Sequence, residues 1–155
     1  MQIDRAMVRI RRSQTRRTIG RLMERQLGVS FNPAHSFVVD AIDELNDANE
    51  QTSVGTVAER LGIDPSRASR MVASAVRAGH VRRIASENDG RRTCLQLTGT
   101  GRKLLQRARS FRADLFSKLM AGWPDADCSE FARLLTKFTE PMPDTAILEP
   151  PAQKP

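Results

Sequence analysis

The sequence predicts a mainly α-helical fold with one small β-hairpin. Apolar residues recur three and four positions apart along most of the 155-residue chain, which is the spacing of amphipathic helices. Two short helices with capping residues are separated only by a glycine-containing turn, and two short strands around a polar loop follow them. A chain of this length fits one ordinary domain with a buried core.

The composition excludes several classes of protein. The chain is 39% hydrophobic and 28% charged, and no apolar run approaches the roughly 20 residues that cross a bilayer. Arg recurs where a signal peptide would need an unbroken apolar stretch, and two cysteines do not make a disulfide framework, so we expect a cytoplasmic protein. Cys94, Cys128, His35 and His80 stand at no metal-ligand spacing, which predicts free thiols, no metal and no cofactor.

Charge divides the chain into four blocks. The net charge is +6 over residues 1–27, −5 over 28–52, +9 over 53–112 and −3 over 113–155. A basic block is typical of a surface for polyanions, because each neutralised phosphate releases counterions. Solvated helix faces are the alternative, and they explain the N-terminal arginines about as well as DNA does.

The first two elements are predicted helices. Residues 3–27 form a long, weakly amphipathic helix that ends at Gly28, and so sparse an apolar face needs a partner subunit or the protein body to pack against. Asn32 and Pro33 then open a helix through Leu45 with acidic residues on its outer face. His35 in its first turn is expected to be a partly buried structural residue.

A helix-turn-helix follows. Ser53 caps a helix over residues 54–61, Gly62 stops it, and Asp64 caps a helix from Pro65 that closes at Gly79. The second helix buries Ala68, Met71, Val72, Ala75 and Val76, and its outward face is Ser66, Arg67, Ser69, Arg70, Ala73, Ser74 and Arg77. Short side chains and Arg suit a helix that enters the DNA major groove.

The next segment is predicted to be a β-hairpin wing. Residues 81–85 and 93–97 form strands around a polar loop that contains Asp89, Arg91 and Arg92. Arg91 and Arg92 can reach the adjacent minor groove, and Asp89 can brace one of them. Cys94 is expected to be a small packing residue.

The C-terminal part is again helical. Thr98 caps a helix over residues 99–121, whose wide apolar face requires more than one neighbour. Pro124 and residues 125–127 are predicted to form a turn before a last helix, which carries Phe131, Leu134, Leu135 and Phe138. The proline-rich residues 141–155 are expected to be a flexible tail.

This order of elements resembles the MarR family of bacterial transcriptional regulators over residues 5–139. The specific stretches are VAERLGIDPSRASRMV at 57–72, GHVRR at 79–83, DGRR at 89–92 and LQLTGTG at 95–101. The resemblance implies a homodimer. Its dimerisation helices would be residues 1–30 and 100–140, and its winged helix-turn-helix would be residues 31–99.

The resemblance also implies site residues. Ser66, Arg67, Ser69 and Arg70 fall where the family's recognition helix meets the major groove, while Asp89 and Arg91 match its D-x-R wing motif. A two-fold dimer would favour a palindromic operator with recognition helices about 34 Å apart.

The sequence departs from the family in three respects. The wing is short, and His80 stands where leucine or isoleucine is usual. The first helix has more arginine than a dimer core requires, which leaves open whether it touches DNA or the acidic residues 40–50.

The leading interpretation is therefore a homodimeric, sequence-specific repressor that binds double-stranded DNA. The alternative is an architectural or non-specific DNA-binding winged helix without an effector. An enzyme is disfavoured, because the sequence offers no nucleophile and base, metal cluster or phosphate loop. The resemblance leaves two possibilities open: a small phenolic or otherwise anionic effector, in a crevice between the dimerisation and DNA-binding regions, or no effector at all.

Overall fold

The computed structural model describes residues 2–15, 22, 25, 32–48, 50–85 and 93–140. Within these ranges the fold is mostly helical with one two-stranded sheet, so the predicted fold class is confirmed. In chain order the elements are α1 (Gln2–Thr15), α2 (Pro33–Asp47), α3 (Val54–Leu61), α4 (Pro65–Arg77), β1 (Val81–Ala85), β2 (Thr93–Leu97), α5 (Gly99–Leu119) and α6 (Asp125–Thr139). Most of the predicted N-terminal helix beyond Thr15, Gly28 and the predicted tail lie outside the described residues.

The chain forms two compact units, residues 1–112 and 113–155. The core of the first unit lies between α2, α3, α4, the sheet and the start of α5. Its largest fully buried side chains are Val38, Val39, Ile42, Leu45, Val57, Val72 and Val81. Each such side chain contributes about 1.5–3 kcal/mol relative to an exposed one, so this core supports the helix-turn-helix.

Local capping sets the limits of α3 and α4, as predicted. The Ser53 side chain accepts a hydrogen bond from the backbone N–H of Thr56, whose hydroxyl accepts from the N–H of Ser53. Gly62 ends α3 with a φ of 60°, a conformation that favours glycine. Asp64 caps α4 by accepting from the N–H of Arg67 at 2.8 Å.

The sheet is an antiparallel hairpin. Val81 pairs with Leu97 and Ala85 with Thr93, so the register follows the alternation of the sequence. Val81 and Leu97 turn into the core. The backbone N–H of Leu95 also donates to the Thr52 carbonyl at 2.8 Å, which ties β2 to the segment before α3.

The C-terminal helices differ from the prediction at two boundaries. α5 ends at Leu119 rather than at residue 121, and α6 begins at Asp125, so residues 125–127 are not a separate turn. Asp125 and Asp127 occupy the first turn of α6, where the positive end of the helix dipole favours acidic side chains. In the described ranges, no helix combines the length and hydropathy that crossing a bilayer requires.

Candidate nucleic-acid interface

α4 has one buried face and one exposed polar face. Ala68, Val72 and Ala75 are completely buried. The predicted contact residues on the opposite side are all exposed: Ser66, Arg67, Ser69, Arg70 and Arg77. A helix of 13 residues therefore presents small hydroxyl side chains and arginines to solvent.

The exposed face is narrower than the sequence predicts. Ser74, which periodicity assigns to the outward face together with Ala73, is half-buried, as is Ala73. The Ser74 hydroxyl lies 2.9 Å from Nε2 of His35 in the first turn of α2. The predicted outward position of Ser74 is therefore wrong, because α2 covers this side of α4.

Both ends of α4 are fixed by hydrogen bonds. Asp64 caps its N-terminus, as described above. At its C-terminus Gly79, with a φ of 75°, donates to the Val76 carbonyl at 2.9 Å, and the N–H of His80 donates to the Ala75 carbonyl at 3.0 Å. This pair of bonds is a Schellman motif, which stops the helix and fixes the direction in which the chain leaves it.

The arginines of α4 are not engaged within the protein. Among the described residues, Arg67, Arg70 and Arg77 form no ion pair and no side-chain hydrogen bond. They therefore remain available to an external anion.

The arginines around α2 are engaged by contrast. Arg60 of α3 binds Glu50 at 2.9 Å, Arg109 of α5 binds Asp43 at 2.7 Å, and Arg112 of α5 binds Asp40 through two hydrogen bonds of 2.8 Å. The acidic face of α2, which the sequence offered as a neighbour for the N-terminal arginines, thus has partners on α3 and α5.

The wing residues are divided between described and undescribed parts of the chain. Asp89, Arg91 and Arg92 lie in the loop between β1 and β2, outside the described residues. On β1, Arg82 donates from Nε to the side-chain oxygen of Gln96 at 2.8 Å. Arg83 is exposed, and no ion pair involves it among the described residues, so it is a cation near the interface that the sequence reasoning did not select.

His35 and His80 lie against each other, with ring centroids 5.2 Å apart and ring planes at 63°. Burial lowers the pKa of His35 below its usual value, and the neighbouring His80 ring lowers it further. Burial also lowers the pKa of His80. The partly buried, structural role predicted for His35 agrees with this position, but its partner was not predicted.

A pocket of about 450 Å³ lies between α2, α3 and α5. Its apolar wall is Phe37, Ala41 and Leu61, and its polar wall is Asp40, Glu44, Arg60, Arg109 and Arg112. In the part of the chain that the structure describes, no three His, Cys, Asp or Glu side chains come together to hold a metal ion.

Sequence comparison relates this region to a known family. Residues 29–92 match the model of the MarR family, and the match covers α2, the helix-turn-helix and the first strand of the wing. Over this segment the chain is similar to the MarR family. No curated protein matches the chain.

Several solved structures of MarR-family transcription regulators share the fold of this chain. A MarR family protein from Bacillus stearothermophilus superposes with a TM-score of 0.70 at 18% identity, over 92% of this chain and 94% of the other. Bordetella bronchiseptica BpsR, whose DNA binding is regulated by 6-hydroxynicotinic acid, superposes with a TM-score of 0.60 at 17% identity, over 84% of this chain and 90% of BpsR. S. aureus MepR bound to ethidium bromide superposes with a TM-score of 0.56 at 16% identity, over 84% of this chain and 95% of MepR.

The contact between His35 and His80 was not predicted from the sequence. The resemblance marked His80 as a departure from the usual leucine or isoleucine, but not its contact with His35. That departure was the one signal that could have led to the pair, because a histidine at an apolar position needs a polar neighbour.

Proposed function

We propose that the protein is a sequence-specific regulator of transcription that inserts α4 into the major groove of double-stranded DNA. The observation that carries the proposal is the division of α4 into a completely buried apolar face and an exposed face, whose three arginines form no ion pair with any described residue. A major groove about 12 Å wide admits one such helix. α4 is called the recognition helix from here on.

The residues of the recognition helix have distinct proposed roles. Arg67 and Arg70 would reach base edges, because a guanidinium can donate two hydrogen bonds to guanine. Ser66 and Ser69 would allow close approach and donate to phosphates, and Arg77 would bind a phosphate near the end of the helix.

The wing would add a second contact. Arg91 and Arg92 would enter the neighbouring minor groove, with Asp89 orienting one of them. MarR-family members are transcription regulators, and we propose that this chain likewise acts by binding DNA in the cytoplasm and not by catalysis.

The regulator would act as a homodimer. The apolar face of α6 is 44–48% exposed and consists of Phe131, Leu134, Leu135 and Phe138. These residues recur at the helical spacing of three, four and seven, and α6 buries no residue of its own. A second copy of the chain would cover this face, and the resulting two-fold symmetry would fit a palindromic operator at a repressed promoter.

The pocket between α2, α3 and α5 would receive an effector. Phe37 is exposed at 55% and offers an aromatic surface, and the lining supplies three guanidinium groups that would bind an anionic group. We therefore propose a planar aromatic carboxylate, whose anionic group would compete with Asp43 for Arg109. The test is calorimetry with 6-hydroxynicotinate and with ethidium, a larger planar aromatic cation, on wild type and Arg109→Ala. Binding of the anion alone, weakened in the variant, is expected, and equal binding of both would contradict the charge argument.

Selection of bound DNA tests the main proposal. Random and genomic duplexes are incubated with the protein at near-physiological salt, retained fragments are sequenced, and their affinity is compared with that of random duplex. A regulator should prefer its operator by about 10³-fold or more. Retention without a common sequence, with affinity that depends only on salt, would favour the architectural alternative.

A further inference from the structure

The two histidines of the chain meet behind the recognition helix. His35 lies in the first turn of α2, and His80 lies between the end of α4 and the start of β1. Their edge-to-face contact, together with the bond from His35 to Ser74, joins α2 to the C-terminal part of α4 and to the wing. The DNA-binding role makes no use of this cluster.

His80 is held in place by its own backbone. Its N–H completes the cap of α4, and its carbonyl accepts from the N–H of Thr98 at 3.0 Å. A Cβ added at Gly101 would lie 2.0 Å from that carbonyl oxygen, so α5 begins directly against it. The backbone of His80 therefore cannot shift unless its contact with the start of α5 also changes.

The surroundings of His35 favour its neutral form. The Asn32 Oδ1 accepts from the N–H of Ala34, so its Nδ2, which can only donate, faces Nε2 of His35 at 3.4 Å. Nε2 therefore acts as an acceptor, and the Ser74 hydroxyl can donate to it. A proton on Nε2 would place two donors against each other at the positive end of the α2 dipole.

The surroundings of His80 disfavour a charge even more directly. Its Nδ1 is buried and has no hydrogen-bond partner among the described residues. A neutral ring can present a lone pair there, whereas a protonated ring would place a buried N–H without an acceptor.

The charged groups around His35 and His80 do not supply a counter-ion for protonated rings. Among the described residues neither ring contacts a carboxylate, and the acids next along α2, Asp40 and Asp43, are paired with Arg112 and Arg109. The adjoining ends of α4, β1 and α5 carry cations only: Arg77, Arg82 and Arg102. Two protonated rings would thus repel each other without a counter-ion.

We propose that His35, His80 and Ser74 form a pH-sensitive latch, which holds the end of the recognition helix against α2 when both rings are neutral and releases it when they are protonated. Acidification below neutral pH would loosen the base of α4. The consequence for DNA affinity rests on the proposed function, whereas the opening of the latch does not.

Nuclear magnetic resonance can follow the latch in the wild-type chain. The sequence has two histidines, so the two imidazole Hε1 signals report on this cluster alone. Single variants His35→Gln and His80→Leu assign them. We expect both midpoints below about 6.5, with amide signals of the last turn of α4 shifting over the same range. The His35 midpoint should rise in His80→Leu. Imidazole midpoints at or above about 6.5 in the wild type would overturn the latch. Amide signals of α4 that do not shift over the same pH range would overturn it as well.

DNA affinity at pH 7.5 and 5.5 tests the regulatory consequence. The wild type should lose at least about tenfold more affinity for its selected operator than the double variant His35→Gln/His80→Leu, which does not titrate here. An equal loss in both proteins would overturn the regulatory role. Absence of any specific DNA binding at either pH would instead reject the proposed function, while the imidazole titration still decides the latch.

Discussion

Arg112 of α5 and Asp40 of α2 form a bidentate ion pair, with both terminal guanidinium nitrogens 2.8 Å from the carboxylate oxygens. The Asp40 side chain is 18% exposed, so water screens the pair only in part. The fork of the guanidinium matches a carboxylate in shape, which an ammonium group cannot do. This pair anchors α5 to the core helix of the first unit.

We expect Arg112→Ala to lower the free energy of unfolding by about 1–3 kcal/mol, because it leaves the half-buried Asp40 without its main partner. Urea denaturation of Arg112→Ala, Asp40→Asn and the double variant measures the coupling. The double variant should lose less than the sum of the single losses. Arg133→Ala, which removes the exposed partner of Glu130, is the control and should change stability little. Additive losses would show that the two side chains do not interact.

A methyl group at Gly101 should be strongly destabilising. Its Cβ would lie 2.0 Å from the carbonyl oxygen and 3.0 Å from the carbonyl carbon of His80, and backbone cannot yield as a flexible side chain does. We expect Gly101→Ala to cost about 3 kcal/mol. Gly99→Ala in the same helix meets nothing within 4 Å and should be neutral or stabilising by up to about 1 kcal/mol. Equal thermal midpoints for the two variants would contradict the close contact.

Arg70→Ala should weaken operator binding by about 1–3 kcal/mol and relax the preference at one base pair. The reason is the loss of a bidentate contact to a base edge. Competition binding against operators with single substitutions measures both effects. Arg107→Ala on α5 removes the same charge from another exposed arginine and serves as the control. A loss that is equal for all DNA sequences would reduce Arg70 to a phosphate contact.

Leu135→Asp should convert the proposed dimer to a monomer, because it places a charge in the apolar face of α6 that a second chain would cover. Sedimentation equilibrium measures the mass over a range of concentrations. Ser129→Asp adds the same charge to the opposite side of α6 and should leave the mass unchanged. A monomeric wild type would contradict the dimer outright.

Stability should decrease as the pH falls below about 6.5. The pKa of both His35 and His80 is lowered in the folded state, so the unfolded chain binds more protons in the window between the folded values and about 6.5. The free energy of unfolding can change by up to about 1.4 kcal/mol per pH unit for each histidine within this window. The full stabilising contribution of the two neutral histidines is present above the window. Urea denaturation from pH 5 to 8 measures the slope. The variant His35→Gln/His80→Leu should show a flatter profile, and a profile as steep as that of the wild type would assign the slope to other groups.

Much of the fold was determined locally, and the sequence alone predicted it. Ser53, Asp64 and Gly79 mark helix limits through bonds within a few residues, so their spacing suffices to place α3 and α4. The alternation of apolar residues likewise predicted both strands and most of the division of the recognition helix into faces. The same reasoning failed at residues 125–127, because acidic residues suit both a turn and the first turn of a helix.

The tertiary structure decided which distant side chains meet. Asp40 and Arg112 are 72 positions apart, and His35 and Ser74 are 39 apart. Helical periodicity indicates only that each residue lies on a given face. It does not indicate which other face packs there, because packing depends on how all the helices share one core. The sequence by itself therefore determined the helices, the hairpin and the exposed arginines that we propose to bind DNA, whereas the tertiary structure alone brought His80 against His35.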